Sequence, residues 1–307
     1  MEEELNITYL VFDGHVEINK YRYLYFISFS IVYILIICSN STIVYLIWKH
    51  QDLHEPMYIF IAALLLNAVF LSTNIYPKLL IDFLSEKQII SHQACIVQYS
   101  LFYALGSSEF LLLAAMAYDR YVSICKPLQY PTIMRKKTVI VFLTVAWLLP
   151  VCQQVGISIL SSNQKLCSFT LKVVFCNNTI YKLFCVASKA ISIYVVALII
   201  TVLFPLLFIL FTYTRIFIIS YQSSRNVRKK AAQTCLPHLL VLISFSCLCA
   251  FDIITVRLGS DFPKTVHFIT ILQVILCNPL LNPIVYGLKM KEISKHLKRL
   301  FCQARII

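Results

Sequence analysis

The chain has 307 residues, of which 59% are hydrophobic and only 13% are charged, and its formal net charge at pH 7 is +13. A soluble protein of this length needs far more charged residues to cover its surface, so the composition excludes a water-soluble globular protein and favours a membrane protein. The basic residues are divided among several loops, which argues against a nucleic-acid-binding surface.

The N-terminal segment, residues 1–22, begins with acidic residues. It lacks the basic region and the short apolar run that define a cleavable signal peptide. We therefore expect an extracellular segment here, and we expect the first membrane helix to direct insertion.

Seven apolar stretches follow, each of 20 or more residues, which is long enough to cross about 30 Å of hydrocarbon at 1.5 Å per residue. They lie near residues 23–48, 57–81, 93–125, 139–160, 190–221, 232–256 and 265–288. The sequence thus predicts an all-α fold, a seven-transmembrane helix bundle over residues 23–288. Residues 289–307 are expected to form a cytoplasmic amphipathic helix and tail, because Met290, Ile293, Leu297, Leu300 and Phe301 share one helical stripe with lysines opposite.

The loops predict the orientation of the bundle. With the N-terminus outside, sixteen lysines and arginines fall on the cytoplasmic side and nine on the extracellular side, as the positive-inside rule requires. Two N-glycosylation motifs, at Asn6 and Asn177, then lie outside. A third motif at Asn40 lies within the first span and is disregarded. The sequence therefore predicts a multi-pass plasma membrane protein with an extracellular N-terminus.

Four of the twelve cysteines lie at or beyond the predicted outer face: Cys95, Cys167, Cys176 and Cys185. An even number in an oxidising compartment indicates two disulfides, and four cysteines allow three pairings. A bond from Cys95 would tie the 161–189 loop over the bundle. Cys302, beyond the last span and beside basic residues, is a candidate for palmitoylation.

The stretch MAYDRYVSICKPLQYPTIM (116–134) closely resembles the third-helix motif of the olfactory (odorant) receptors, a family of rhodopsin-like G-protein-coupled receptors. Further matches to that family occur in order and at its spacing: LHEPMYIF (53–60), PKLL (77–80), TYTRI (212–216), KAAQTCLPHL (230–239) and NPLLNPIVYGLKMKEI (278–293). The resemblance covers the whole chain. The glutamate in LHEPMY, Glu55, favours the fish-like subgroup.

The resemblance implies a mechanism for the inner end of the bundle. In the resting state, Asp119 and groups on the sixth helix hold Arg120 inward; agonist binding moves that helix outward, and the cavity accepts the C-terminal helix of a G protein. The residues implied for G-protein coupling and the activation switch are Asp119, Arg120, Tyr121, Tyr213, His238, Asn282, Pro283 and Tyr286. In the alternative interpretation, Arg120 only extends its side chain to the membrane–water interface beside an acid, and His238 only packs against its neighbours. The resemblance also implies the disulfides Cys95–Cys176 and Cys167–Cys185.

Glu109 lies eleven residues before Arg120, about three turns and roughly 16 Å deeper on the same helical face. A carboxylate at mid-membrane needs a partner, a proton or a cation. The family carries a second acid on the second helix, which implies a sodium site, but the aligned residue here is Ala68. Glu109 therefore either binds sodium, or it is protonated or bridged by water. We favour the protonated or water-bridged state. The neutral groups that would assist a cation are Asn67 with Asn278 or Asn282.

The resemblance places a ligand pocket in the outer half of the bundle. Its aligned residues are Tyr99, Phe102, Tyr103, Gly106, Ser107, Ala197, Leu198, Thr201, Cys249, Ile253, Arg257 and Leu272. Such a set forms a small, mostly apolar site, and the absence of an aspartate at 102 or 103 disfavours an amine receptor. Arg257 would either pair with a carboxylate ligand or contact water, Asp261 or lipid phosphate. Ser246 stands where the family usually has an aromatic residue that acts as the activation toggle. Phe245 or Phe251 would have to take over that role.

These observations predict an odorant receptor that binds small odorants and activates a stimulatory, olfactory-type G protein, raising cAMP. Its partners would be an odorant, the heterotrimeric G protein and membrane lipids, with no nucleic acid, no cofactor and no enzyme activity of its own. A non-olfactory chemosensory receptor for a small metabolite is the first alternative. A membrane transporter is the remote one, because inverted repeats and interrupted helices are not evident.

Overall fold

A computed structural model describes the backbone of residues 8–162, 164–185, 189–223, 225–258 and 264–304. Within these ranges, the side chains outside the description are those of 189–191, 193–195, 197–198, 225–228, 230–234, 252–258, 266–267, 270–271, 274, 301 and 303–304.

Long helices make up most of the described chain. They are α1 (Ile18–Lys49), α2 (Pro56–Leu84), α3 (His92–Cys125), α5 (Lys136–Ser162), α6 (Lys189–Gln222), α7 (Arg225–Leu258) and α8 (Lys264–Lys289). Each predicted span lies within one of them. A short helix, α4 (Tyr130–Ile133), separates α3 from α5, and α9 (Lys291–Ala304) follows α8.

The apolar character of these helices is that of membrane spans. Among the described residues, α1, α2, α3, α5 and the Ile199–Gln222 part of α6 are long and apolar enough to cross a bilayer, and Cys235–Phe251 of α7 is a shorter apolar stretch. Large side chains such as Leu148, Phe204 and Leu207 face outward. Because exposed apolar surface of this extent is unfavourable in water, these faces are suited to lipid.

Helix α3 occupies the centre of the bundle, where it contacts α2, α5, α6 and α7. Two apolar clusters surround it. One lies towards α9 and includes Leu64, Leu113 and Ile293. The other lies towards the opposite end and includes Phe83 and Phe175.

Two prolines in α8 shape its contacts with α1 and α2. Pro283 has no N–H to donate to the carbonyl of Pro279, and the Asn40 side chain of α1 donates to that oxygen instead, at 3.0 Å. Pro279 likewise frees the carbonyl of Ile275, which accepts a hydrogen bond from the Tyr76 hydroxyl of α2 at 3.3 Å. Asn40 is fully buried, as expected for a motif inside a span.

A small sheet, which the sequence did not predict, closes one end of the bundle. Its strands are β1 (Tyr9–Phe12), β2 (Ile89–Ser91) and β3 (Thr170–Leu171), in the order β2-β1-β3. β1 is antiparallel to β2, with Leu10 opposite Ile90, and parallel to β3, with Val11 opposite Thr170. This pairing ties the N-terminal segment to the loop between α5 and α6.

Two further contacts hold the N-terminal segment in place. Lys264 at the start of α8 pairs with Asp13, with 2.7 Å between Nζ and Oδ1. A methyl group at Gly14 would lie 2.4 Å from the backbone carbon of Val173, so the close approach of the two segments requires glycine.

Candidate functional site

The C-terminal end of α3 carries a buried ion pair. Arg120 donates from Nη2 and Nε to Oδ2 of Asp119, at 2.5 and 3.0 Å, and Asp119 is fully buried. The other oxygen, Oδ1, accepts a hydrogen bond from the Tyr130 hydroxyl of α4 at 2.8 Å. Burial and the nearby carboxylate raise the pKa of Tyr130, so its hydroxyl stays protonated and can donate.

Sequence reasoning missed Tyr130. It directly follows a 3₁₀ turn, Pro127–Gln129, and precedes Pro131, which is favoured in the first turn of a helix. The two prolines in KPLQYP (126–131) indicate a tight turn after α3, and this was the feature of the sequence that could have placed Tyr130 against that helix.

A cavity also borders Arg120. It is lined by Met57, Ile61, Met116, Arg120, Pro237, His238, Tyr286 and Met290. The cavity thus brings together predicted switch residues from α3, α7 and α8. The Tyr213 hydroxyl of α6 is hydrogen-bonded to Nδ1 of His238, and the His238 side chain is buried. His238 therefore links α6 to α7 beside the arginine.

Glu109 lies deeper on α3 and is fully buried. Asn278 of α8 donates from Nδ2 to both of its oxygens, at 2.9 and 2.8 Å, and Asn282 donates at 3.4 Å. Asn67, the possible helper of a cation at this position, donates from Nδ2 to the Leu105 carbonyl at 2.9 Å. Its Oδ1 accepts from the indole of Trp147 at 3.4 Å.

Two disulfides order the loop at the other end, joining Cys95 to Cys176 and Cys167 to Cys185. These are the pairings that the family resemblance implies. Gln98 of α3 supports the first of them, because its side-chain oxygen accepts from the backbone N–H of Cys176 at 2.9 Å. The loop is thereby fixed directly above α3.

Aromatic residues of α3 meet this loop. The hydroxyls of Tyr99 and Tyr181 lie 2.6 Å apart, and Tyr103 accepts from the backbone N–H of Asn178 at 3.3 Å. The rings of Phe102 and Phe175 have centroids 5.0 Å apart. The predicted ligand residues Tyr99, Phe102 and Tyr103 therefore share the underside of the loop.

One turn below, Gly106 of α3 borders space that no described residue occupies. A Cβ atom built on Gly106 would meet no heavy atom within 4 Å among the residues that the structure describes. Beneath it, the ring of Phe110 packs on that of Phe245 from α7, with centroids 4.7 Å apart. A side chain at position 106 would thus enter space that no described residue occupies, between the loop and the Phe110–Phe245 pair.

The remaining predicted ligand residues differ in their surroundings. Thr201 of α6 accepts from Nε2 of Gln153 at 2.9 Å, and Ser107 is buried. Cys249 and Leu272 are half-buried. The side chains of Ala197, Leu198, Ile253 and Arg257 lie outside the described residues.

The structure distinguishes between the two aromatic candidates near Ser246. Phe245 is buried against α3, whereas Phe251 is 46% exposed. Phe245 is therefore the residue of the two that packs against α3, with its ring on that of Phe110.

The predicted glycosylation of Asn177 does not fit the folded chain. Asn177 is only 2% exposed. Its side-chain oxygen accepts from the N–H and the hydroxyl of Thr179, at 3.1 and 2.8 Å. A buried asparagine that caps a turn has no space for a glycan. Asn6 lies outside the described residues.

Comparison with known proteins agrees with this arrangement. A family model described as "Olfactory receptor" matches residues 29–304. Olfactory receptor 10AG1 of Homo sapiens is 34% identical over 94% of this chain and 97% of its own length. Olfactory receptor 52A5 of Homo sapiens is 35% identical over 90% of this chain and 89% of its own length. The fold resembles the crystal structure of squid rhodopsin, with a TM-score of 0.77 at 18% identity, covering 94% of this chain and 87% of that one.

Proposed function

This chain belongs to the olfactory receptor family, and on that premise we propose that the outer half of its bundle binds a small odorant and its inner end activates a stimulatory G protein. The family and the rhodopsin-like fold make it a multi-pass plasma membrane receptor for odorants rather than an enzyme. They also remove the transporter alternative.

The observation that best supports the proposed ligand site is the space beside Gly106, which no described residue occupies. It lies beneath the disulfide-tied loop and above the Phe110–Phe245 pair. A mostly apolar enclosure with a few polar groups suits a small volatile molecule. Tyr103 and Thr201 are the polar groups that we expect to orient it. Arg257 remains a candidate anchor for a carboxylate ligand.

The Asp119–Arg120 pair would control the activation of the G protein. In the proposed resting state, Asp119 holds the guanidinium and is itself held by the Tyr130 hydroxyl, and the Tyr213–His238 contact keeps α7 against α6. An odorant that favours an outward position of α7 would enlarge the cavity beside Arg120 and admit a G-protein helix. The ligand needs only to bind the open state more tightly than the closed one. Asn282, Pro283 and Tyr286 would form the hinge of α8.

The proposed orientation places the N-terminus outside the cell. The excess of lysine and arginine at the end that carries α9 supports it. The basic stripe of α9 is suited to anionic lipid at the inner leaflet, whose surface it would contact.

A cAMP assay in cells that express the chain tests this function. Panels of acids, amines, esters and amino acids are applied, and we expect at least one class to raise cAMP. Arg120→Ala should abolish the response at unchanged surface expression, while Lys126→Ala, an exposed charge just beyond α3, should retain it. Full signalling by Arg120→Ala, or a response through another second messenger, would contradict the proposal.

A further inference from the structure

Two histidines and an aspartate converge where α9 meets the end of α1. His50 directly follows α1, Asp52 lies in the 3₁₀ turn Gln51–Leu53, and His296 is on α9. Nε2 of His296 lies 2.8 Å from Oδ2 of Asp52. The imidazole rings of His50 and His296 are stacked, with centroids 3.9 Å apart and planes inclined by 28°.

These side chains offer three ligand atoms within 4.8 Å of one another. Two imidazole nitrogens and a carboxylate oxygen are a ligand set typical of zinc and related divalent transition metals, whereas calcium and magnesium prefer oxygen alone. The odorant and G-protein functions use none of the three residues.

The ligand atoms would have to move closer together to form a tetrahedral site. With metal–ligand distances of about 2.0–2.2 Å, ligand atoms in such a site lie roughly 3.3 Å apart. His296 is buried and fixed, but His50 is half-exposed and the Asp52 side chain is 52% exposed, so both can turn towards it. The exposed side leaves the fourth position to water.

Nearby positive charges limit the affinity of this cluster for a metal ion. Lys49 and Arg299 both act on His50 as nearby positive charges, and they oppose a cation. Asp52 supplies the one negative charge of the ligand set, so loss of its carboxylate should weaken binding as much as loss of an imidazole.

We propose that His50, Asp52 and His296 form a binding site for a divalent transition metal ion, with Zn²⁺ as the ion to be tested, and that the bound ion fastens α9 to the end of α1. The ligands come from segments 244 residues apart. Because a metal bond would cross from one element to the other, its effect should be greatest on α9, the terminal element.

Zn²⁺ titration of the purified full-length chain in nanodiscs, stripped with a chelator and read against a chromophoric competitor, tests the site. We expect one site per chain, whose affinity falls at least about tenfold in each of His50→Gln, Asp52→Asn and His296→Gln. His54→Gln is the matched control, since His54 lies on the same loop and contacts the Trp48 carbonyl instead. It should bind Zn²⁺ like the unchanged chain.

Hydrogen exchange supplies a second readout that does not depend on activity. Zn²⁺ should slow amide exchange over residues 291–304 in the unchanged chain and in His54→Gln, but not in His50→Gln, whose altered side chain lies at the half-exposed edge of the cluster. Equal Zn²⁺ affinity in all four variants, or exchange over 291–304 that Zn²⁺ leaves unchanged, would overturn the proposal.

Discussion

Asp119 shares its two oxygens between two neighbours, Arg120 on its own helix and Tyr130 on α4. Because it is fully buried, each lost hydrogen bond leaves a polar atom without compensation from water. Its neighbours therefore decide how firmly the guanidinium is held. Adjacent positions on a helix point in different directions, so sequence spacing alone does not bring the Asp119 and Arg120 side chains together. Tyr130 makes the restraint specific.

Tyr130→Phe should raise basal cAMP, because it removes the hydrogen bond to Oδ1 while leaving the ring in place. A net contribution of about 0.5–1.5 kcal/mol corresponds to roughly a twofold to tenfold shift towards the open state. Thr132→Ala, an exposed position of the same short helix, serves as the control and should leave basal cAMP unchanged. Lower basal activity in Tyr130→Phe at equal surface expression would show that the contact belongs to the active state.

At the scale of elements, α3 and α8 are joined in the bundle interior by Glu109 with Asn278 and Asn282. Both side-chain oxygens of Glu109 are engaged by amide donors. The second acid implied by the family resemblance is Ala68 here, and Ala68 is fully buried. With one carboxylate, both of whose oxygens already accept from an amide group, this site offers sodium few oxygen ligands.

Replacing sodium by an organic cation should therefore change agonist potency in the cAMP assay by less than about twofold, or 0.4 kcal/mol. Ala68→Asp restores a second carboxylate and should make potency depend on sodium. Strong sodium dependence in the unchanged chain would instead support a cation at Glu109.

The long helices were predictable and the short elements were not, for one physical reason. A span of 20 or more apolar residues is specified locally by the bilayer it must cross. Strands of two to four residues, such as β1 and β3, carry no periodicity and exist only through pairing between distant segments. The amphipathic stripe of α9 was predicted correctly because its period lies within one segment, and Ile293 on that stripe is fully buried.

The residues of the candidate site also fall into two groups, those that the sequence could predict and those that it could not. Motif residues such as Arg120 and His238 could be assigned from the sequence, because the family match fixes their positions. The partners Tyr130 and Tyr181 could not, since they are brought to α3 by loops whose course depends on packing. The contacts of Asn67 with the Leu105 carbonyl and the Trp147 indole could not be predicted either, because they depend on how α2 packs against α3 and α5.

At the scale of the whole molecule, the sheet, the Asp13–Lys264 pair and the two disulfides gather at one end. The amphipathic helix and the basic loops lie at the other. In the proposed orientation, the extracellular end is covalently tied and the cytoplasmic end is held by hydrogen bonds and packing. The rigid end is thus the one that would enclose the ligand, and the other would move.

Glycosylation provides a check on that orientation. Glycosidase treatment of the expressed chain should increase its gel mobility, and Asn6→Gln should abolish the increase. Asn177→Gln should leave it unchanged, because Asn177 is buried and caps a turn. A glycan that persists in Asn6→Gln but disappears in Asn177→Gln would contradict the folded arrangement of this loop.

The most direct test of the account is the agonist potency of Gly106→Leu in the cAMP assay. The larger side chain would enter space that is open among the described residues, so the fold should survive while the odorant is displaced. We predict at least about a tenfold loss of potency at unchanged surface expression and basal cAMP. Leu101→Phe, which enlarges an outward-facing position of the same helix with 44% of its side chain exposed, should retain full potency. Equal potency of Gly106→Leu and the unchanged chain would contradict the placement of the odorant beside α3.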